Sequence, residues 1–238
     1  FEASDYIVKN IKKSFSYKLK NKFKNLDISF YKKIVKINSR HYKDFISNKY
    51  KVDSKYIVFV DGMPFDHADV LTREGALPAK NRALYYNNLK LLLKKLSKKF
   101  KKKVIICLHP KYHQEKINRD FFGFKHFMYR TEEFIAKSSH VIILESSSIV
   151  QAVILKKKII TIHGNIIGSH GNRRCLAYAK DLGLNKIDIG NIDSWNLNEI
   201  KFNRKKINHF YNRYIKKNII SSKNISAVDH VIKTIFKM

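Results

Sequence analysis

Cysteine is nearly absent from this chain: Cys107 and Cys175 are the two in 238 residues, and neither stands in a Cys-x-x-Cys spacing. That argues against a disulfide framework or a thiolate zinc site and for a reducing compartment, with Cys107 in an expected buried strand and Cys175 in an expected helix. Carboxylates are scarce as well. Only 19 Asp and Glu face 49 Lys and Arg, a formal net charge of +30. Such a balance favours a polyanionic partner: nucleic acid, an anionic membrane surface or an acidic polysaccharide. The lysines accompany abundant Asn and Ile along the whole chain, which also reads as a general compositional bias. No apolar run approaches the ~20 residues that span a bilayer; the longest, such as 141–144, are strand-sized. The first residues are mixed and charged, unlike a signal peptide. The chain begins at Phe1, not Met, which leaves both a preceding segment and none as readings. There is no internal repeat, no low-complexity linker, no Walker or dinucleotide-binding glycine spacing, no RNA-binding fingerprint and no helix-turn-helix pattern. Asp-x-Asp is absent too, which argues against a metal-dependent sugar-nucleotide site.

What is present is 44% hydrophobic, enough for a substantial core. Residues 1–55 are basic and aromatic without a clear strand, and read as a helical segment or the tail of a preceding domain. From residue 56 strands and helical patterns alternate. Strands are expected at 56–60, 104–108, 126–129, 141–144, 159–162 and 187–189. Helices are expected at 80–100, with Leu84, Leu89, Leu92, Leu93 and Leu96 at helical spacing, then after Thr131 as cap, at 148–155 and at 172–182. This alternation implies βαβ units and a Rossmann-like parallel α/β sheet with flanking helices, over residues 56–195. Residues 196–238 return to helices, at 200–217 and 226–236.

Two motifs carry the chemistry. The strand at 104–108 ends in His109-Pro110. Proline cannot continue a central strand, so His109 sits at the carboxyl end with a restricted direction. One strand later, 141–144 runs through Glu145 into Ser146, Ser147 and Ser148, which open a helix. Open α/β sheets bind ligands beyond the carboxyl ends of their strands. A histidine and a serine-capped helix start on that edge suggest a phosphate, hence a nucleotide. Asp61-Gly62 ends the first strand on the same edge and also suits an ordinary turn; His67 and Asp69 follow in the same loop. His109 and His113 are poorly arranged as a metal pair because Pro110 lies between them. His163 and His170 flank a loop with Gly164, Gly168 and Gly171 that could approach phosphate or sugar closely. The lysines at 94–103 read equally as a solvated helix face or a membrane-facing patch.

In the order Asp61-Gly62, His109-Pro110, Ser146-Ser147-Ser148, residues 55–220 resemble the C-terminal, donor-binding half of bacterial glycosyltransferases of the glycosyltransferase-B fold. The group resembled uses CMP-activated acidic sugars: sialyl-, polysialyl- and Kdo transferases. The resemblance implies that His109 and Pro110 meet the CMP phosphate, that His109 helps the nucleotide leave, and that the serines bind the same phosphate. It also implies that Tyr129, Arg130 and Thr131 hold base and ribose through backbone groups. It implies no cofactor and no metal, a CMP-sugar donor as substrate, a glycan or glycolipid acceptor, and a place at the cytoplasmic face of the membrane, peripheral to anionic lipid. In those sialyltransferases the acidic motif belongs to the N-terminal domain, whereas Asp61 stands only 48 residues before His109. Asp61 and a base from an upstream domain therefore both remain candidates. Polyol-phosphate transferases of the teichoic-acid type also release CMP and also resemble the His-Pro and serine pattern. A nucleic-acid-binding protein and a catalytically dead nucleotide-binding domain are the readings from other classes; nucleic acid is not the expected partner.

Overall fold

A computed structural model describes residues 50–67, 77–121, 123–200 and 202–215. Most of the expected N-terminal segment, Asp69 and the helix at 226–236 lie outside the described residues. The chain divides into two compact units, one of residues 50–207 and one of residues 1–49 with 208–238. The first carries the sheet and the candidate site.

Six parallel strands form one sheet: β1 Tyr56–Val60, β2 Lys103–Cys107, β3 Lys125–Phe127, β4 Ser138–Ile143, β5 Lys158–His163 and β6 Asn185–Asp188. Their order is β3-β2-β1-β4-β5-β6, the doubly wound Rossmann arrangement. β1 pairs with β2 from Tyr56↔Lys103 to Val60↔Cys107, and with β4 up to Val60↔Ile143. Ile57, Val58, Phe59, Val141, Ile142 and Ile143 are completely buried. Such unbroken apolar runs suit strands covered on both faces, where alternation would put a polar side chain into the core.

The helices are α1 Arg82–Phe100, α2 Gln114–Phe121, α3 Thr131–Ala136, α4 Ile149–Ile154, α5 Ser169–Leu182 and α6 Arg204–Phe210. α1 starts because the Asn81 side chain accepts the Leu84 amide at 3.1 Å, and stops where Lys101 turns left-handed and returns its amide to Ser97 and Lys98. Leu89, Leu92, Leu93 and Leu96 are buried on the sheet. Leu84 is 38% exposed, however, and Tyr85 and Tyr86 take its place in the core. The helical period aligns Tyr85 with Leu89, Leu92 and Leu96, leaving Leu84 on the outer side.

Other boundaries shift from the sequence expectation. β3 starts at Lys125 and β6 at Asn185. α5 starts at Ser169 and absorbs Gly171, so the expected glycine loop shrinks to a 3₁₀ turn at Asn165–Ile167. Thr131 is the first residue of α3 and not its cap; Arg130 precedes it without a side-chain capping bond. Glycine and short polar residues near a helix start leave such boundaries to tertiary contacts.

Candidate functional site

The order of the strands fixes where a crevice can form. Chain connections leave β1 toward β2 on one side and reach β4 on the other, so the loops after β1 and β4 diverge at the switch point. Asp61-Gly62 follows β1 and Leu144-Glu145-Ser146 follows β4. The two loops meet closely: a Cβ on Gly62 would lie 2.4 Å from the Leu144 carbonyl oxygen. No larger residue fits there without moving backbone, so Gly62 is required by this approach and not only by a turn.

Asp61 is 2% exposed. Its Oδ1 accepts the Met63 amide at 3.1 Å, and its Oδ2 is buried without a hydrogen-bond partner. Burial, reinforced by the nearby Asp120 and Asp66 carboxylates, pushes its pKa up to about 7, against the Met63 amide and Arg82. A buried carboxyl whose pKa is raised toward neutrality at a switch point is suited to proton transfer.

Beside it lies a network that no sequence motif announced. Arg82, the first residue of α1, donates to Asp120 Oδ2 at 2.5 Å and to Asp66 Oδ2 at 2.7 Å. Asp66 also accepts from Lys116 Nζ at 2.7 Å, and Asp120 from Arg119 Nε at 3.0 Å and from the Tyr112 hydroxyl. Tyr112 and Tyr86 share a hydrogen bond of 3.1 Å. Burial works to raise the Asp120 pKa, but the bonds from Arg82, Arg119 and Tyr112 outweigh it and hold it below the ordinary carboxylate value. The Tyr85 hydroxyl is buried in the same region without a partner.

His109 follows β2, next to β1. It is half-buried, its Nδ1 accepts the Lys111 amide at 3.2 Å, and its ring stands edge-on to His67 with centroids 4.7 Å apart. The His67 amide bonds the Met63 carbonyl at 3.0 Å, so the turn after Asp61 carries His67 to His109. Pro110 is exposed. Tyr129, after β3, is 78% exposed in a left-handed conformation and donates to the Pro110 carbonyl at 3.3 Å. Arg130 does not face this edge unengaged: it grips Glu133 through Nε at 2.7 Å and Nη2 at 2.8 Å and lies over the Phe127 and Phe134 rings.

The serines do less as a cap than their number suggests. α4 is short, Ser148 precedes it without a side-chain bond, and the Ser146 hydroxyl accepts the Ser148 amide at 3.2 Å. The amides of Ile149 and Val150 bond the carbonyls of Ser146 and Ser147. Ser147 is exposed. β2 and β4 flank β1, so His109 and the serines stand about 10 Å apart across it.

Glu145, quoted in the motif without a role, is tightly constrained. It is non-glycine at φ +47°, a conformation held only when its surroundings impose it. Its carboxylate is 3.0 Å from His170 Nε2 and 3.5 Å from Arg174 on α5. A Cβ on Gly171 would lie 2.5 Å from Glu145 Oε2, so Gly171 gives the carboxylate its room. His170 thus belongs with Glu145, whereas His163 ends β5 with its pKa lowered by burial. His113 is exposed. Among the described residues no group of three His, Cys, Asp or Glu is placed to hold a metal, and no helix is long and apolar enough to cross a membrane.

The fold is that of a doubly wound α/β protein in which Asp61, His109 and Ser146 to Ser148 follow the carboxyl ends of β1, β2 and β4. No protein-family model matches the chain, and no curated protein sequence does. Among solved structures it is similar to a Methanocaldococcus jannaschii UDP-GlcNAc 2-epimerase in complex with UDP-GlcNAc and UDP, at 12% identity and a TM-score of 0.41, covering 84% of this chain and 49% of that one. It is also similar to the wall teichoic acid polymerase TagF (18% identity, TM-score 0.38, 83% of this chain and 49% of that one). The E. coli heptosyltransferase WaaC with ADP-2-deoxy-2-fluoro heptose matches at 14% identity and a TM-score of 0.32, covering 48% of this chain and 33% of that one. The chain spans between a third and a half of the length of these structures.

Proposed function

We propose that this chain is the donor-binding part of a glycosyltransferase of surface-glycan synthesis, taking a sialic, nonulosonic or Kdo-type sugar from a CMP-activated donor. The observation that carries the reading is Asp61: a buried carboxyl at the switch point, with one oxygen unpartnered and a pKa of about 7. In this reading the acceptor hydroxyl gives its proton to Asp61 Oδ2 as its oxygen attacks the anomeric carbon. The bond from that carbon to the phosphate oxygen breaks, and the charge collects on the departing CMP. His109 and the Ser146 and Ser147 hydroxyls donate to that phosphate, stabilising charge as it develops. Tyr129 and the backbone of Arg130 and Thr131 flank the base and ribose. The donor class rests on the order of the three motifs along the chain.

Calorimetric titration with CMP, UMP, UDP and GDP tests this on wild type and His109→Ala. CMP is expected to bind selectively, and less tightly to the variant. Absence of nucleotide binding to folded protein would sink the donor site.

A further inference from the structure

The edge opposite the crevice has its own chemistry. All six strands begin within one residue of a lysine: Lys125 in β3, Lys103 in β2, Lys55 before β1, Lys137 before β4, Lys158 in β5 and Lys186 in β6. Because the strands are parallel, all six stand on the amino edge, about 24 Å wide at ~4.8 Å per strand. The register makes this edge convex. Tyr56 pairs with Lys103 and Ser138, while Lys125 pairs with Ile105 and Lys158 with His140, two residues further along.

The apex is denser still, with Lys51, Lys101 and Lys156 exposed beside Lys55, Lys103 and Lys158. Two more lysines form its floor. Lys157 is buried and donates to the carbonyls of Asp53, Ala136 and Ser138 at 2.6–2.9 Å, and Lys102 donates to the Ser54 carbonyl. Asp53 offsets Lys55, and Glu133 offsets Lys137. Lys51, Lys101, Lys103, Lys125, Lys156, Lys158 and Lys186 make no ion pair among the described residues. Helix C-termini gather on this edge and favour cations, but that calls for one per helix, not a run of three at 101–103 and another at 156–158. The crowding acts on its neighbours: burial, then Lys158 and Lys102, bring His140 down to about 4.

We propose that this amino edge is a docking surface for an anionic phospholipid bilayer. Among the described residues the rim's exposed cations are all lysines. Arginine, whose fork reads individual phosphates and carboxylates, is absent from it among the described residues. Among the described residues no aromatic large enough to stack a base is exposed there; Tyr129, the one strongly exposed aromatic among them, sits at the opposite edge. Val52, 58% exposed, stands beside Lys51 at the apex. Clustered, hydrated point charges around a small apolar tip fit a diffuse layer of headgroups better than a nucleic acid, which adds stacking platforms to its cations. The surface is independent of the donor site.

The test is co-sedimentation of the full chain with vesicles of phosphatidylcholine, with and without phosphatidylglycerol, at physiological salt. The rim variant carries Lys51→Glu, Lys103→Glu, Lys156→Glu and Lys158→Glu. The control carries Lys80→Glu, Lys94→Glu, Lys95→Glu and Lys205→Glu, equal in charge. Wild type is expected to prefer the anionic vesicles. The rim variant is expected to lose on the order of 100-fold or more in partitioning, since each lysine near such a surface contributes about fivefold. The control is expected to lose under about tenfold, because charges beyond a Debye length are screened. Circular dichroism and the nucleotide titration on both variants separate loss of docking from loss of fold or of donor binding. Equal losses in the two variants, or no preference for anionic lipid in wild type, would overturn the proposal. So would polyuridylate binding tighter than the vesicles and abolished in the rim variant, which would make the edge a nucleic-acid surface.

Discussion

The two edges of the sheet treat charge in opposite ways. At the carboxyl edge the few acids of the chain are drawn inward: Asp61 and Asp120 are each 2% exposed, and Glu145 lies against His170 and Arg174. At the amino edge a lysine stands in solvent at the start of every strand but β4, where Lys137 is half-buried against Glu133. Burying a carboxylate is costly unless partners compensate it: Asp120 and Glu145 are held by cationic and hydroxyl partners, whereas Asp61 keeps one oxygen unpartnered and takes a raised pKa. An exposed lysine costs little and specifies little. One edge acts through single atoms, the other only as a sum.

That contrast can be broken or sharpened by substitution. The largest effect is expected at Asp61. Its folded pKa of about 7 lies above the usual 3.8, so the folded state holds a proton that the unfolded state releases, and stability falls as pH rises from 3.8 to 7. Asp61→Asn removes this loss and is expected to stabilise the protein above pH 7 by up to about 4 kcal/mol, with little gain at pH 4. Urea denaturation at the two pH values checks the sign; the same variant is expected to lose roughly 10²–10⁴-fold in transfer rate. Next comes Asp120→Ala, which strips Arg82 and Tyr112 of their shared carboxylate and is expected to cost about 3 kcal/mol in urea denaturation. If it costs nothing, the network is not a defined structure and the contrast fails on that side. The smallest effect belongs to Lys103→Ala, expected to stay within about 0.5 kcal/mol of wild type in thermal denaturation. A larger loss would mean that the rim lysines act singly.

The sheet was legible because its strands are apolar on both faces: the segments at 56–60, 141–144 and 159–162 contain almost nothing but β-branched and aromatic residues. The edge that collects Asp61, His109 and the serines followed from parallel pairing alone. Leu84 misled because a run of apolar residues does not say which side of a helix faces in, and Tyr85 and Tyr86 supply the larger burial. The Arg82 network was illegible for a different reason. Its members lie up to 54 residues apart, from Asp66 to Asp120, and no local period links them. Glu145 was visible as a letter before three serines, but its left-handed backbone and its pairing with His170 depend on Gly171 entering α5, which a glycine there argued against.

The place of β1 in the sheet has a consequence for how the protein is made. β1 is central, yet its partner β2 lies more than 40 residues later and Val60 meets Ile143 83 residues later. At a synthesis rate of roughly 5–20 residues per second, Val60 waits about 4–17 s for that second partner to be polymerised. Throughout that interval the most apolar strand of the nascent chain has an unpaired side, so the birth of β4 closes a window for mispairing.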